Sequence, residues 1–160
     1  MGVTVKDDRR RWDRLRRVLK DANSAVEVGV RGDGKERQGA GPSNVQLATI
    51  HEFGLTISYQ DRPDVVIPQR SFIRSTADDN LRKYRALLKR VGGQVVAGDL
   101  KLDQAMDLVG LKVAADMRAK IRNGIPPANA DATIARKGSS KPLIDTGQLL
   151  GSITHKVVKA

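Results

Sequence analysis

Reactive chemistry in this chain would have to come from a short inventory. There are two histidines, His51 and His155, and no cysteine. Without cysteine there is no disulfide, no thiolate metal site and no Cys nucleophile. His51-Glu52 supplies the first half of a zincin helix. That motif needs a second His four residues after the first, so that both imidazoles reach one metal. Position 55 is Leu, and His155 lies far downstream. Leu143-Ile144-Asp145-Thr146-Gly147 has the hydrophobic–Asp–Thr–Gly order of an aspartic-protease loop. Such chemistry needs two carboxylates face to face sharing one proton. Here Gln148-Leu149-Leu150 follows and reads as a helix start, with Asp145 as N-cap and Gln148 as its capping-box partner. No phosphate-binding glycine loop and no GxSxG elbow is present. The residues favour a binding or structural role without enzymatic activity, and no metal or cofactor is expected.

These residues are positioned by elements that the periodicity makes legible. Residues Asp7 to Ala22 predict an amphipathic helix with Trp12, Leu15, Leu19 and Ala22 on one face. Ala25 to Val30 alternates as a strand, with Val26, Val28 and Val30 on one side. Arg31 to Pro42 reads as a loop. Ser43 and Gln46 form a capping box for a short helix carrying Val45, Leu47, Ile50 and His51, and Gly54 ends it as an αL residue. Leu55–Tyr59 and Val65–Ile67 predict a hairpin or a pair of edge strands, closed by Pro68. A helix follows from about Ser71 to Val91, with Leu81, Tyr84, Leu88 and Val91 inward, broken by Gly92-Gly93. Another, from Leu102 to Arg122, has the cleanest stripe: Leu102, Met106, Val109, Val113, Met117 and Ile121. Residues 123–142 are rich in Pro, Gly and Ser and read as an extended loop or arm that orders on a neighbour. Ser152 to Val158 is a last strand, with Ile153, His155 and Val157 on one face. There is no internal repeat.

The 160 residues fit a single domain spanning 1–160, large enough to bury about two-thirds of its unfolded surface. One Trp, two Tyr and two Phe leave the core to aliphatic side chains. No apolar run approaches the roughly 20 residues of a membrane span, and Met1 to Lys20 has no signal-peptide stretch, so no membrane partner is expected. The net charge of +11 attracts polyanions, either nucleic acid or an acidic protein surface. Candidate contacts are Arg9, Arg10, Arg14 and Arg17 on the first helix and Arg136, Lys137 and Lys141 in the arm. The scarce, scattered aromatics argue against stacking-based recognition.

Three segments together carry a resemblance. The first is Leu47 to Gly54, with His51-Glu52-Phe53-Gly54 at its end. The second is Ile67-Pro68-Gln69-Arg70-Ser71-Phe72-Ile73-Arg74. The third runs from Pro126-Pro127 to the closing Pro142-Leu143-Ile144-Asp145-Thr146-Gly147-Gln148-Leu149-Leu150-Gly151-Ser152-Ile153. Their order and spacing resemble the virion-morphogenesis family of tailed phages and prophages, which includes head–tail joining, neck and tail-completion proteins of Mu-like and lambdoid phages. The match covers roughly residues 45 to 158.

The resemblance implies an α+β subunit without enzymatic activity, assembling as a ring, commonly a hexamer, around the DNA channel. Its partners would be its own copies, the tail-tube and head–tail connector proteins and, non-specifically, packaged DNA. Its place would be the head–tail junction of the virion, and the host cytoplasm before assembly. His51, Glu52, Phe53, Gly54, Pro68, Arg70, Phe72, Asp145, Thr146, Gly147 and Leu149 would then mark fold or interface. Arg70 would satisfy carbonyls or a carboxylate, and Phe72 would anchor the corner. The expected fold is α+β: a small, mostly antiparallel sheet flanked by helices, with an N-terminal basic helix and a long arm. The sheet would combine Ala25–Val30, the Leu55–Ile67 pair and Ser152–Val158, with the two long helices on one face. The alternative is a basic nucleic-acid-binding protein without catalytic activity.

Overall fold

A computed structural model describes residues 9–20, 23–32 and 41–159. The fold is α+β. Its centre is a two-stranded antiparallel ribbon of β1 (Ser24–Val30) and β4 (Ile153–Lys159), paired from Ser24↔Lys159 to Val30↔Ile153. Valine-rich strands of alternating polarity suit a ribbon with one buried face. Val26, Val28 and Val30 all pack inward, and Ile153 is fully buried beside them.

The layer on that face is α4 (Leu102–Asn123). Its buried residues Ala105, Val109, Gly110, Ala114, Met117 and Ile121 recur at three- and four-residue steps, the spacing of one helical face. Gly110 sits where the helix meets the ribbon: a Cβ there would lie 2.7 Å from Val26 Cγ2 and closer still to the His155 ring. The small residue lets α4 approach the strands closely.

The next layer is α3 (Ile73–Ala97). It covers α4 rather than the ribbon, so the two long helices are stacked, not side by side over one sheet face. The expected break at Gly92-Gly93 does not occur. Two mid-helix glycines cost about 1 kcal/mol each relative to Ala. Burial of Val91 and Val95 against Ala105 and Val109 offsets that cost. The helix ends at Gly98, at φ +86°, whose N–H bonds the Gln94 and Val95 carbonyls. Tyr84 and Val91 are buried as the stripe predicts, whereas Leu81 and Leu88 stay exposed. The helix buries only a narrow strip, and those two leucines fall on its flank.

The helix α1 (Arg9–Lys20) attaches through Val18, which packs on the Val91–Val109 cluster. Trp12, expected on the inner face, is 60% exposed. One helix leaning on one neighbour buries about two side chains, here the half-buried Leu15 and Val18. Asp7, Asp8, Asp21, Ala22 and residues 33–40 of the predicted loop lie outside the described residues, as do the side chains of Leu19 and Arg14.

The helix α2 (Asn44–Phe53) starts with the predicted capping box: Gln46 N–H donates to Ser43 Oγ, and Ser43 N–H to Gln46 Oε1. Gly54 has φ +79° with an extended ψ, so it is left-handed in φ but not αL. A side chain there would crowd Gln69 N and Ile67 O, both 3.2 Å from a Cβ. The chain then makes a separate hairpin, β2 (Leu55–Ile57) with β3 (Val65–Ile67). The expected single sheet is therefore two ribbons. Gly54 and Pro68 flank the hairpin, and neither of its strands pairs with β1 or β4.

Residues 124–147 are not a structureless arm. They contain α5 (Asp131–Lys137), ended by Gly138 in the αL region. The short α6 (Gln148–Gly151) then leads into β4. Asp145 is not its N-cap: Gly147, at φ +81°, takes that position, with no side-chain cap bond. Asp145 stands two residues too early to reach the first turn, and its charge acts on Lys137 instead.

Candidate functional site

The motif segments, far apart in sequence, converge on one junction between α2, the start of α3 and the chain after α4. At its centre is Glu52, in the last turn of α2 and only 6% exposed. The α3 helix has no cap of its own, because Phe72 stands at its N-cap position. Glu52 supplies the missing acceptor from another helix. One carboxylate oxygen accepts from Phe72 N–H and Ile73 N–H, both at 3.0 Å. The other accepts from Arg74 N–H at 3.0 Å and Ser71 Oγ–H at 2.6 Å. A negative charge at a helix N-terminus is also favoured by the aligned peptide dipoles. Burial works against ionisation here, but the bonds from Ser71 and the three amides outweigh it and hold the Glu52 carboxyl below its usual range. Glu52 is thus an ionised, fully engaged acceptor.

Arg70 closes the next contact. It is 6% exposed. Its Nε donates to Pro127 O at 2.7 Å and its Nη2 to Ala128 O at 2.9 Å, while its backbone N–H donates to His51 O at 2.7 Å. One guanidinium fork therefore ties the 67–72 corner to the chain following α4, and a Lys could not span both carbonyls. Gln69 Nε2 adds a bond to Glu52 O. Under these polar ties lies an apolar cluster of Ala48, Phe72, Met117, Ile121, Ile125, Leu149 and Ile153. Phe72 and Leu149 are buried within it; Asp145 and Thr146 are exposed, and Gly147 and Pro68 half-buried.

His51 sits at the edge of this junction. Burial, then the positive charges of Arg70 and Lys137, push its pKa down to about 4, so the ring is neutral at pH 7. Its Nδ1 is buried with no partner among the described residues. His155 is remote from it, bonding Asp107 at 2.8 Å. Among the described residues, no group of three or more His, Cys, Asp or Glu side chains is placed to hold a metal ion.

Outside the junction, Phe53 is 67% and Val66 66% exposed, and Leu55 and Val65 are exposed with them. The hairpin tip carries Arg62 over the Tyr59 ring at 3.6 Å. A hollow of ≈ 360 Å³, lined by Val30, Val45, Ala48, Phe53 and Ile73, opens beside α2. Of the candidate polyanion contacts, Arg9, Arg10, Arg17, Arg136 and Lys141 are exposed, and Lys137 is half-buried. Lys137 and Lys141 also serve locally, donating to Lys141 O and Arg122 O. The structure does not bring the α1 cations and the 136–141 cations into one cluster that any described contact defines.

Sequence reasoning missed three positions. Glu52 as a remote cap was signalled only by the lack of a capping side chain before α3. Gly110 was signalled by a lone glycine inside the most regular helix. Arg118, which donates to Ile153 O, left no sequence signal. Among the described residues, no helix is long and apolar enough to cross a membrane. Comparison with known protein families, curated proteins and solved structures finds no match to the chain.

Proposed function

We propose that this chain is a non-enzymatic structural subunit of a tailed-phage particle, of the neck, tail-completion or tail-terminator kind, which assembles as a ring around the DNA channel and joins tail to capsid. One observation carries the reading. The three segments whose order resembles the virion-morphogenesis family meet in one junction, where Glu52 and Arg70 hold backbone groups. Residues used in this way mark a fold shared for assembly. The exposed Phe53, Leu55, Val65 and Val66 supply apolar surface of the sort that subunit contacts cover. In this reading the subunit's partners are its own copies, in a hexamer whose closure is set by the crossing angle, then tail-tube and connector proteins, with the basic surface meeting packaged DNA or acidic partners.

The exposed Arg9, Arg10, Arg16, Arg17 and Lys20 of α1 favour a second reading, a nucleic-acid-binding protein that works alone. Native mass spectrometry from low to moderate salt, followed by negative-stain microscopy, separates the two. A closed ring of about six copies supports the assembly reading. A chain that stays monomeric at every concentration and binds duplex DNA with a steep salt dependence refutes it in favour of the second.

A further inference from the structure

The central ribbon has two strands among the described residues, and no described strand pairs with either of its long edges. The direction of the backbone groups on those edges follows from one bond. Arg31 N–H donates to Ser152 O, which makes Arg31 and Ser152 a hydrogen-bonded pair in the antiparallel ladder. Pairs alternate along such a ladder. Gly29, Glu27 and Ala25 therefore face β4, while Val26, Val28 and Val30 aim their N–H and C=O groups away from it. On β4 the outward residues are Ile153, His155, Val157 and Lys159. Arg118 reaches Ile153 O from outside the ribbon, in agreement with that alternation. No other described group bonds either edge. Neither strand contains Pro, and the register runs without a bulge, so two of the usual protections of an edge strand are missing.

We propose that copies of this chain join by strand addition, the free edge of β1 in one copy pairing antiparallel with the free edge of β4 in the next. The inference rests on the assembly reading above and names its interface. The outward residues match in number. Arg118 occupies Ile153 O, which leaves His155, Val157 and Lys159 on β4 to meet Val30, Val28 and Val26 of the neighbour. They match in side as well. The outward residues of both strands carry side chains on the α4 face, as the approach of Val26 and His155 to Gly110 shows. Pairing therefore continues the apolar row and sets every α4 on the same side of a continuous sheet.

Charge selects a second copy in this orientation. On the opposite face β1 presents Glu27 and β4 presents Lys156, both exposed. Joining β1 to β4 places the neighbour's Lys156 opposite Gly29 and diagonal to Glu27, within reach of a cross-strand pair, beside the Arg31 that Glu27 holds on its own chain at 3.4 Å. Joining β4 to β4 would set lysines against lysines. Gly29 adds no obstruction, since a Cβ there would meet nothing within 4 Å. A contact between two different edges repeats head to tail, and it closes into a ring when the rotation allows.

The test uses the full chain and native mass spectrometry. Val28→Pro removes one outward N–H and leaves the β1–β4 ladder its bonds. The expected result is a folded monomer by circular dichroism where the unaltered chain forms a ring. Glu27→Lys should weaken assembly about fivefold, and Glu27→Lys with Lys156→Glu should recover part of it, because the swap keeps opposite charges at positions 27 and 156 although both variants lose the Arg31–Glu27 pair. A folded Val28→Pro chain that still forms the ring overturns the strand-addition interface while leaving the assembly reading intact. If that variant fails to fold, a Glu27→Lys chain that assembles as well as the unaltered one overturns it. Assembly that stops at a dimer points to β1 meeting β1 and also overturns it. An unaltered chain that remains monomeric at every concentration overturns the assembly reading, and this interface with it.

Discussion

Replacing Glu52 is the most informative perturbation of the fold. Glu52→Ala removes the acceptor from the Phe72, Ile73 and Arg74 amides and from the Ser71 hydroxyl. A buried donor left without a partner costs about 1–3 kcal/mol. The Phe72 amide bears that full cost, because it lies in the interior. The Ile73 and Arg74 amides recover part of theirs from water. The expected loss is about 3–5 kcal/mol, set against a total stability of about 5–15 kcal/mol for a domain. Glu52→Gln keeps one acceptor oxygen, loses the charge and turns an amide group toward the donors, for a loss of about 2–3 kcal/mol. Urea unfolding reads both. With a slope of about 2 kcal/mol/M, a 4 kcal/mol loss lowers the midpoint by about 2 M at unchanged slope. The pH dependence supplies a second readout. The folded-state pKa of Glu52 is depressed from 4.5, so its contribution is fully present above the unfolded value and is lost as pH falls through the folded one. Glu52→Gln should remove that part of the acid slope. A variant within about 0.5 kcal/mol of the unaltered chain, with the same acid slope, would refute the remote-cap account.

Gly110→Ala drives a methyl into Val26 and His155 and should cost about 1–3 kcal/mol by thermal melting; His155→Ala in the same chain should recover part of it. Arg70→Ala strands the Pro127 and Ala128 carbonyls, and hydrogen exchange should report loosening confined to the chain after α4, with Arg70→Lys giving only partial rescue. His51 is held neutral, with a pKa of about 4 against 6.5 unfolded. Its contribution is present above pH 6.5 and declines as pH falls toward 4, so His51→Gln should flatten stability across that window in denaturant titrations at stepped pH. NMR of the His51 ring should show no protonation at pH 6.

The elements were legible where period and punctuation agree. Ser43 with Gln46 marks the start of α2, and the α4 stripe from Leu102 to Ile121 gives both its bounds and its buried face. What failed required knowledge of neighbours. Gly92-Gly93 reads as a stop because local propensity disfavours glycine, but Val91 and Val95 bury against α4 and carry the helix on. Leu81 and Leu88 read as core by period alone, yet they fall outside the strip that α3 buries. The separation of the two ribbons is a tertiary outcome that no alternation pattern encodes. In the junction, residue types at the corner suggested that Arg70 would meet carbonyls or a carboxylate, and it meets carbonyls. Which carbonyls, and that Glu52 caps a helix twenty residues on, are matters of tertiary placement.

The pairing of Ser24 with Lys159 and Val30 with Ile153 joins segments well over a hundred residues apart, and this bears on biogenesis. Translation delivers β1 long before β4. In that interval a valine-rich strand has no partner from its own chain, and α4 has no ribbon to cover. Ribbon closure is thus a late event, of the kind that slows folding because its loop must be closed before any contact rewards it. Chains emerging side by side on one messenger expose unpaired β1 segments to a neighbour's newly made β4. Crowded synthesis should then favour exchanged pairs, in which each chain completes the other's ribbon.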